Sequence, residues 1–273
     1  MNPISLKPKI KQFLSDILPI PLKIKIKRLL FDNKNFYISQ KGFCPICEKK
    51  TKFSSTNYNF RETYICHNCG SQSKKRILAL ALNKFCPNWH FLTIHESSPQ
   101  ANYIFFKRCS KYSTSQYYPN ERLGINVNGF RNENLEKLTF ENNSFDIFVT
   151  LDVLEHVYNP EKVFSEIARV LKPGGIHIFT VPIENMLGKT EIWAKPDENG
   201  KPIFLKTEEW HGNPISSEGS PCTMHYGYDI VDMIKKSSGM ETLIYRDLNE
   251  INGVIKVPVD YVNPIEVFVS RKI

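Results

Sequence analysis

Ser144 to Pro182 reads SFDIFVTLDVLEHVYNPEKVFSEIARVLKPGGIHIFTVP, and its hydrophobic pattern decides the fold. Phe145 to Leu151 is an almost continuous apolar run, as expected of a strand covered on both faces. Asp152 places a carboxylate at the end of that run. Asn159-Pro160 opens a helix, because proline at the first helical position gives up an N–H that has no intrahelical partner. Val163, Phe164, Ile167, Ala168, Val170 and Leu171 recur at three- and four-residue steps and give that helix one apolar face. Lys172-Pro173-Gly174-Gly175 breaks it, and Ile176 to Val181 starts a second apolar strand. The economical reading is a right-handed strand–helix–strand crossover in a parallel sheet.

The same residues carry a resemblance. SFDIFVTLDVLEHV followed by NPEKVFSEIARVLKPGG resembles the second half of class I S-adenosylmethionine-dependent methyltransferases of the type-11 family. The resemblance implies an α/β, Rossmann-like, seven-stranded sheet with S-adenosyl-L-methionine across the carboxyl ends of its strands. The first strand is then Phe91 to Glu96, followed by Ser97-Ser98-Pro99 where the family has a glycine-rich loop. Ser97 and Ser98 are small enough for close approach, and Glu96 would receive the cofactor's ammonium group; a merely structural turn is the other reading. The second strand is expected over Lys111–Ser115. Gln116 then stands where the family's acid holds the ribose hydroxyls, with Ser115 the alternative one register step away. Glu133 to Phe140 resembles the family's D-x-x-x-L-P-F segment, which puts Asn134 near the adenine amine and Leu135 against the ring. Leu151 and Asp152 complete the expected cofactor set.

Length and charge divide the chain. Its 273 residues suffice for one sizeable α/β domain and a small accessory module. No apolar run approaches the roughly 18 residues of a membrane span, and Lys7, Lys9, Lys11 and Asp16 interrupt any signal-peptide core. A cytoplasmic protein is expected. The formal charge is +8, yet residues 1–76 hold 16 Lys/Arg against 4 Asp/Glu, which leaves the rest at −4. The basic surface therefore belongs to the amino-terminal part.

Residues 1–40 form a basic amphipathic arm. Ile10, Phe13, Leu14, Ile17 and Leu18 share a helical face, and Lys23, Lys25 and Lys27 alternate with aliphatics after Pro19-Ile20-Pro21. Such a segment packs on its own protein or lies on an anionic membrane. Residues 41–75 hold Cys44-Pro-Ile-Cys47 and Cys66-His-Asn-Cys69, with eighteen residues between the pairs. Two C-x-x-C knuckles at that separation match a zinc ribbon, in which four thiolates close a structural site around Zn2+. Lys52-Phe53 and Tyr64-Ile65 suit its strands. Tyr58, Phe60 and Tyr64 with Lys74, Lys75 and Arg76 offer stacking faces and charge for a nucleic acid.

Residues 76–273 are expected to be the methyltransferase domain, with a lid insertion at about 183–225 rich in Gly, Pro and Trp. Asp229–Ser238 reads as a helix; Met240–Tyr245 and Ile265–Ser270 read as the last, antiparallel strands. His156, His211 and His225 are the acid–base candidates, with His211 and His156 ahead. His211 sits in a Trp-His-Gly-Asn-Pro turn on the lid, and His156 follows the strand end beside Asp152 and Glu155. The preferred function is methylation of an oxygen or nitrogen nucleophile on a small-molecule or glycan-like acceptor. An RNA methyltransferase using ribbon and arm, and a non-catalytic module of the same fold, are the alternatives.

Overall fold

In the computed structural model, residues 38–57, 59–99, 103–106, 108–213, 215–246 and 265–273 are described. The arm at 1–40, apart from its last three residues, and Tyr58 lie outside that set. Strands β1 (Ile38–Cys44), β2 (Lys49–Ser55) and β3 (Ile65–Cys66) make a small antiparallel sheet. Lys52-Phe53 lies within β2, whereas β3 takes in Ile65 but starts one residue after Tyr64, with Phe53 paired to Cys66. Strand β1 is additional, since ISQKGFC has no alternating pattern to announce it. A single turn, α1 (Phe60–Thr63), bridges β2 and β3, and α2 (Ser73–Phe85) follows.

The chain then enters the central sheet with β4 (Ile94–Ser97) and, after α3 (Tyr103–Phe106), β5 (Tyr112–Gln116), β6 (Asn126–Val127) and β7 (Phe130–Asn132). β8 (Phe145–Leu151), α4 (Pro160–Val170) and β9 (Leu171–Thr180) are the unit read from Ser144–Pro182. Seven short strands come next: β10 (Ile183–Asn185), β11 (Glu191–Ile192), β12 (Ala194–Pro196), β13 (Pro202–Phe204), β14 (Trp210–Asn213), β15 (Ser216–Pro221) and β16 (Met224–Gly227). The expected lid is thus built from paired strands, with β16 between β10 and β11 and two hairpins, β12–β13 and β14–β15. Helix α5 (Ile230–Ser238), β17 (Glu241–Arg246) and β18 (Glu266–Arg271) close the domain.

Strand order in the central sheet is β17-β18-β9-β8-β4-β5-β7-β6. The block from β9 to β7 is parallel, whereas β18 runs antiparallel to β9 and β17 antiparallel to β18. Because β4 lies between β5 and β8, the order reverses there, and a crevice opens beyond the carboxyl ends of these strands. Among the described residues the sheet has eight strands rather than seven. β6 is added by a two-residue turn at Asn128-Gly129, whose φ angles of 50° and 87° suit a hairpin of primed type.

Two other expectations need correction. The first parallel strand starts at Ile94, not Phe91: Trp89–Phe91 form a 3-10 turn and Phe91 is 79% exposed. Thr93 donates its N–H to Asp146 Oδ2 at 2.8 Å before the ladder begins. Lys172–Gly175 does not separate helix from strand as a free turn. It is an irregularity within β9, between the pairs Phe145–Leu171 and Ile147–Ile176. Only glycine fits at 175, since a Cβ would lie 2.8 Å from the Lys172 carbonyl oxygen and 3.0 Å from that of Asp146.

Period two along β8 sorts its side chains onto two faces. From Ile147 onward, Ile147, Val149 and Leu151 join Ile77, Leu78, Ala81, Ile176 and Ile178 in one cluster, and Phe148 joins Val163, Phe164, Ile167, Ile230 and Ile234 in the other. Phe145 also falls in the second, because the ladder shifts register between Phe145 and Ile147. The first cluster also contains Phe53, Phe60, Tyr64 and Cys66. The four-cysteine segment therefore shares its core with the sheet. Arg76 is wholly buried at this join, with its guanidinium 4.7 Å from the Phe53 ring centre and donating to the Tyr64 carbonyl at 3.1 Å.

Candidate active site

The loops after β4, β5 and β8 converge at the crevice. β4 is buried along its length, so its polar residues need partners. His95 points to one face, where Nδ1 and Nε2 lie 2.9 Å from the Ser113 and Ser115 hydroxyls. Burial pushes its pKa down to about 3, and it stays neutral. Glu96 points to the opposite face. Tyr112 donates its hydroxyl to Oε2, while Oε1 is buried without a hydrogen-bond partner. Burial raises the Glu96 pKa to about 7 against the Tyr112 hydrogen bond and the Lys75 charge. Ser98 then takes φ of +52° and donates its N–H to the Ser115 carbonyl at 2.8 Å. Left-handed backbone at a loop of this kind normally selects glycine, and here a serine holds it.

Gln116 is the last residue of β5, not the first beyond it, and is buried beside Asn132. Asn134 uses its Oδ1 to accept the Glu136 N–H at 2.8 Å, which fixes a local turn. Leu135 is buried against Leu138 in the second core cluster. Leu151 is fully buried where β8 ends, and Asp152 adopts φ of +53°. The Asp152 carboxylate accepts the Thr180 hydroxyl at 2.7 Å and pairs with Lys74 at 2.9 Å and with Arg61. Burial opposes ionisation there, but the Arg61 and Lys74 charges override it and hold the pKa below the usual range. Lys74 is thereby committed inside the protein, as Arg76 is at the join with Phe53 and Tyr64.

On the other side of the crevice the lid meets the turn Leu154–His156. Thr223 donates its N–H to the Glu155 carbonyl at 2.8 Å, and the Tyr226 hydroxyl donates to the Leu154 carbonyl at 2.9 Å. His156 donates Nδ1–H to the Pro221 carbonyl at 2.8 Å. Its burial lowers the pKa to about 4, even though that hydrogen bond works in the opposite direction. The His156 and His211 ring centres are 5.1 Å apart. Glu209 accepts Nε2–H from His211 at 3.0 Å and from His225 at 2.9 Å, while His225 stacks on Trp193 at 3.7 Å. Beneath them Glu155 is buried, with Oε2 lacking a hydrogen-bond partner. Burial, reinforced by the Asp152 charge, raises its pKa to about 8.

So all three histidines named from the sequence are drawn to one place. Glu209 and Arg61 were missed, Glu155 was noted only as a neighbour of His156, and Lys74 was assigned to a nucleic-acid flank rather than to Asp152. Glu209 had only a weak signal, lying two residues before His211 and just ahead of β14. Arg61 and Lys74 had none, because their partner lies far along the chain.

Cys44, Cys47, Cys66 and Cys69 also converge, with all four sulfurs within 4.8 Å of one another. Cys44–Cys69 and Cys47–Cys66 are separated by 3.8 and 3.9 Å.

This strand order defines the Rossmann-like methyltransferase fold, and residues 109–179 match the family model described as a methyltransferase domain. Over those residues the chain is similar to the S-adenosylmethionine-dependent methyltransferases. A ubiquinone biosynthesis O-methyltransferase of Caulobacter vibrioides is 30% identical over 111 residues, 35% of this chain and 43% of that one. A sarcosine/dimethylglycine N-methyltransferase of Aphanothece halophytica is 45% identical over 49 residues, 18% of each chain. The chain spans less than half the length of these curated relatives. A solved S-adenosylmethionine-dependent methyltransferase of Mesorhizobium loti superposes with a TM-score of 0.46 at 16% identity, covering 72% of this chain and 98% of that one.

Proposed function

We propose that this protein transfers a methyl group from S-adenosylmethionine to an oxygen or nitrogen of a small-molecule or glycan-like acceptor. The observation that carries the reading is the end of β4: a buried carboxyl oxygen with no partner beside a left-handed serine turn, at the switch point of the central sheet. An orphaned buried acceptor costs about 1–3 kcal/mol, and a cofactor ammonium group supplies the missing donor. Glu96 would hold that group, Ser97 and Ser98 would admit it to the backbone, and Gln116 would bond the ribose hydroxyls. Asn134, Leu135 and Leu151 would bound the adenine side. Asp152 shapes the floor through Thr180 and Lys74. When bound, the cofactor supplies an electrophilic methyl on a sulfonium centre.

The remaining work is positioning, which accounts for much of the rate in an in-line displacement. The lid's His211, held by Glu209, and His156, held by Pro221, would orient the acceptor at the methyl group. The burial of Lys74 and Arg76 weighs against an RNA acceptor.

The four cysteines we read as a structural zinc site. A tetrahedral zinc with bonds of about 2.3 Å requires sulfurs about 3.8 Å apart, close to the separations of 3.8 and 3.9 Å in two of the pairs. Calorimetric titration with S-adenosylhomocysteine tests the central claim. Saturable binding that weakens in Gln116→Ala, by about 1–3 kcal/mol for stranded polar partners, is expected. No heat and no binding in the wild type would overturn the reading.

A further inference from the structure

We infer that Glu155, His156 and His211 form a binding site for a divalent transition-metal cation, separate from the four cysteines. One donor atom from each lies within 4.8 Å of the other two. The hydrogen bonds already made decide which atoms are available. A carbonyl and a carboxylate only accept, so His156 carries its proton on Nδ1, toward Pro221, and His211 carries its proton on Nε2, toward Glu209. His156 Nε2 and His211 Nδ1 are left with lone pairs. Bonds of this outer kind fix the tautomer and ring orientation of metal-ligating histidines.

The third donor is Glu155 Oε2, buried and without a hydrogen-bond partner. Arg61 and Lys74 act on it only from a distance, since they close on Asp152 instead. A buried carboxyl group without a partner is costly, and a dication that displaces its proton supplies the compensating charge. Bonds of about 2.1 Å place donors roughly 3.4 Å apart around a tetrahedral ion. His211, whose side chain is 35% exposed, stands on a lid strand and can close the difference. Two imidazoles and one carboxylate leave open positions on the ion, as in facial-triad sites.

One use of those positions rests on the methyltransferase reading. A hydroxyl of the acceptor that coordinates the ion loses its proton to solvent more readily, and the resulting oxyanion attacks the methyl group. An amine gains nothing from such an ion, so the site narrows the acceptor to an oxygen nucleophile.

Elemental analysis of the full chain tests the site. The protein is treated with a chelator, given Zn2+ alone and freed of excess by gel filtration. Wild type is expected to retain one equivalent more than His211→Ala or the near-isosteric Glu155→Gln, each shown to be folded by its melting curve. Glu209→Gln should weaken retention of that equivalent by about 10–100-fold. Equal zinc in wild type and His211→Ala would overturn the site, as would an extra equivalent that survives both substitutions. Calorimetry with S-adenosylhomocysteine on the same samples keeps the questions apart: zinc retained without cofactor binding refutes the methyltransferase reading and leaves the metal site standing.

Discussion

At the scale of the residue, Glu96 is where burial and function pull in opposite directions. Its folded pKa of about 7 stands above the ordinary 4.5, chiefly through burial. The groups facing it are Tyr112 on β5 and Lys75 on α2. A carboxyl raised in the folded state binds more protons folded than unfolded. Its contribution is therefore fully present below pH 4.5 and lost as pH climbs through about 7. At about 1.4 kcal/mol per unit, that loss is at most about 3.5 kcal/mol. Urea unfolding of wild type and Glu96→Gln at several pH values should show the variant gaining on wild type between pH 5 and 8. Parallel pH profiles would refute the assignment. Ser98 is the second such residue. With φ at +52°, Ser98→Val should cost about 1–2 kcal/mol, whereas Ser98→Gly should be neutral or stabilising; equal losses in the two would show that the turn is not strained.

At the scale of the element, the loop after β8 is held by side chains from two other elements. Arg61 of α1 and Lys74 of α2 converge on Asp152, all three side chains being largely buried. Removing one member of a buried pair leaves the other charge uncompensated, at about 3–5 kcal/mol. Asp152→Ala should therefore lose stability on that scale, by denaturant unfolding, although it deletes only one small side chain. A loss below about 1 kcal/mol would mark the network as solvated and weak. None of this was legible beforehand, whereas the neighbouring unit was. β8 and α4 were read to within a residue because a complete apolar run and an Asn-Pro start both signal locally; Asn159 Oδ1 accepts the Lys162 N–H at 3.0 Å. Strand β7 went unplaced, since Phe130–Asn132 is too short to show alternation. The Asn128-Gly129 turn beside it was the available clue. The acceptor cluster was half visible: imidazoles advertise themselves, but Glu209 and Glu155 become notable only once folding has buried them or placed them beside a histidine.

At the scale of the whole molecule, the decisive question is whether the four-cysteine segment is an appendage or part of the fold. An appendage would melt alone. Here Phe53, Phe60, Tyr64 and Cys66 belong to the same buried cluster as Ile77, Val149 and Leu151, and the Arg61–Asp152 pair ties α1 to the crevice. Burying each large side chain contributes about 1.5–3 kcal/mol, so three aromatics together match much of the 5–15 kcal/mol that keeps a domain folded. Loss of the bound zinc proposed at these cysteines would let the segment unravel and bare that face of the sheet. Cys66→Ser/Cys69→Ser should thus lower one cooperative transition for the entire chain. At about 2–4 °C per kcal/mol for a protein of this size, a loss of about 5 kcal/mol shifts the midpoint by roughly 10–20 °C. Affinity for S-adenosylhomocysteine should decline in step with the folded fraction. Far-ultraviolet circular dichroism read alongside cofactor calorimetry decides the matter. Two separated transitions, with the later one and the cofactor affinity unchanged, would show that the segment folds apart from the sheet despite their shared core.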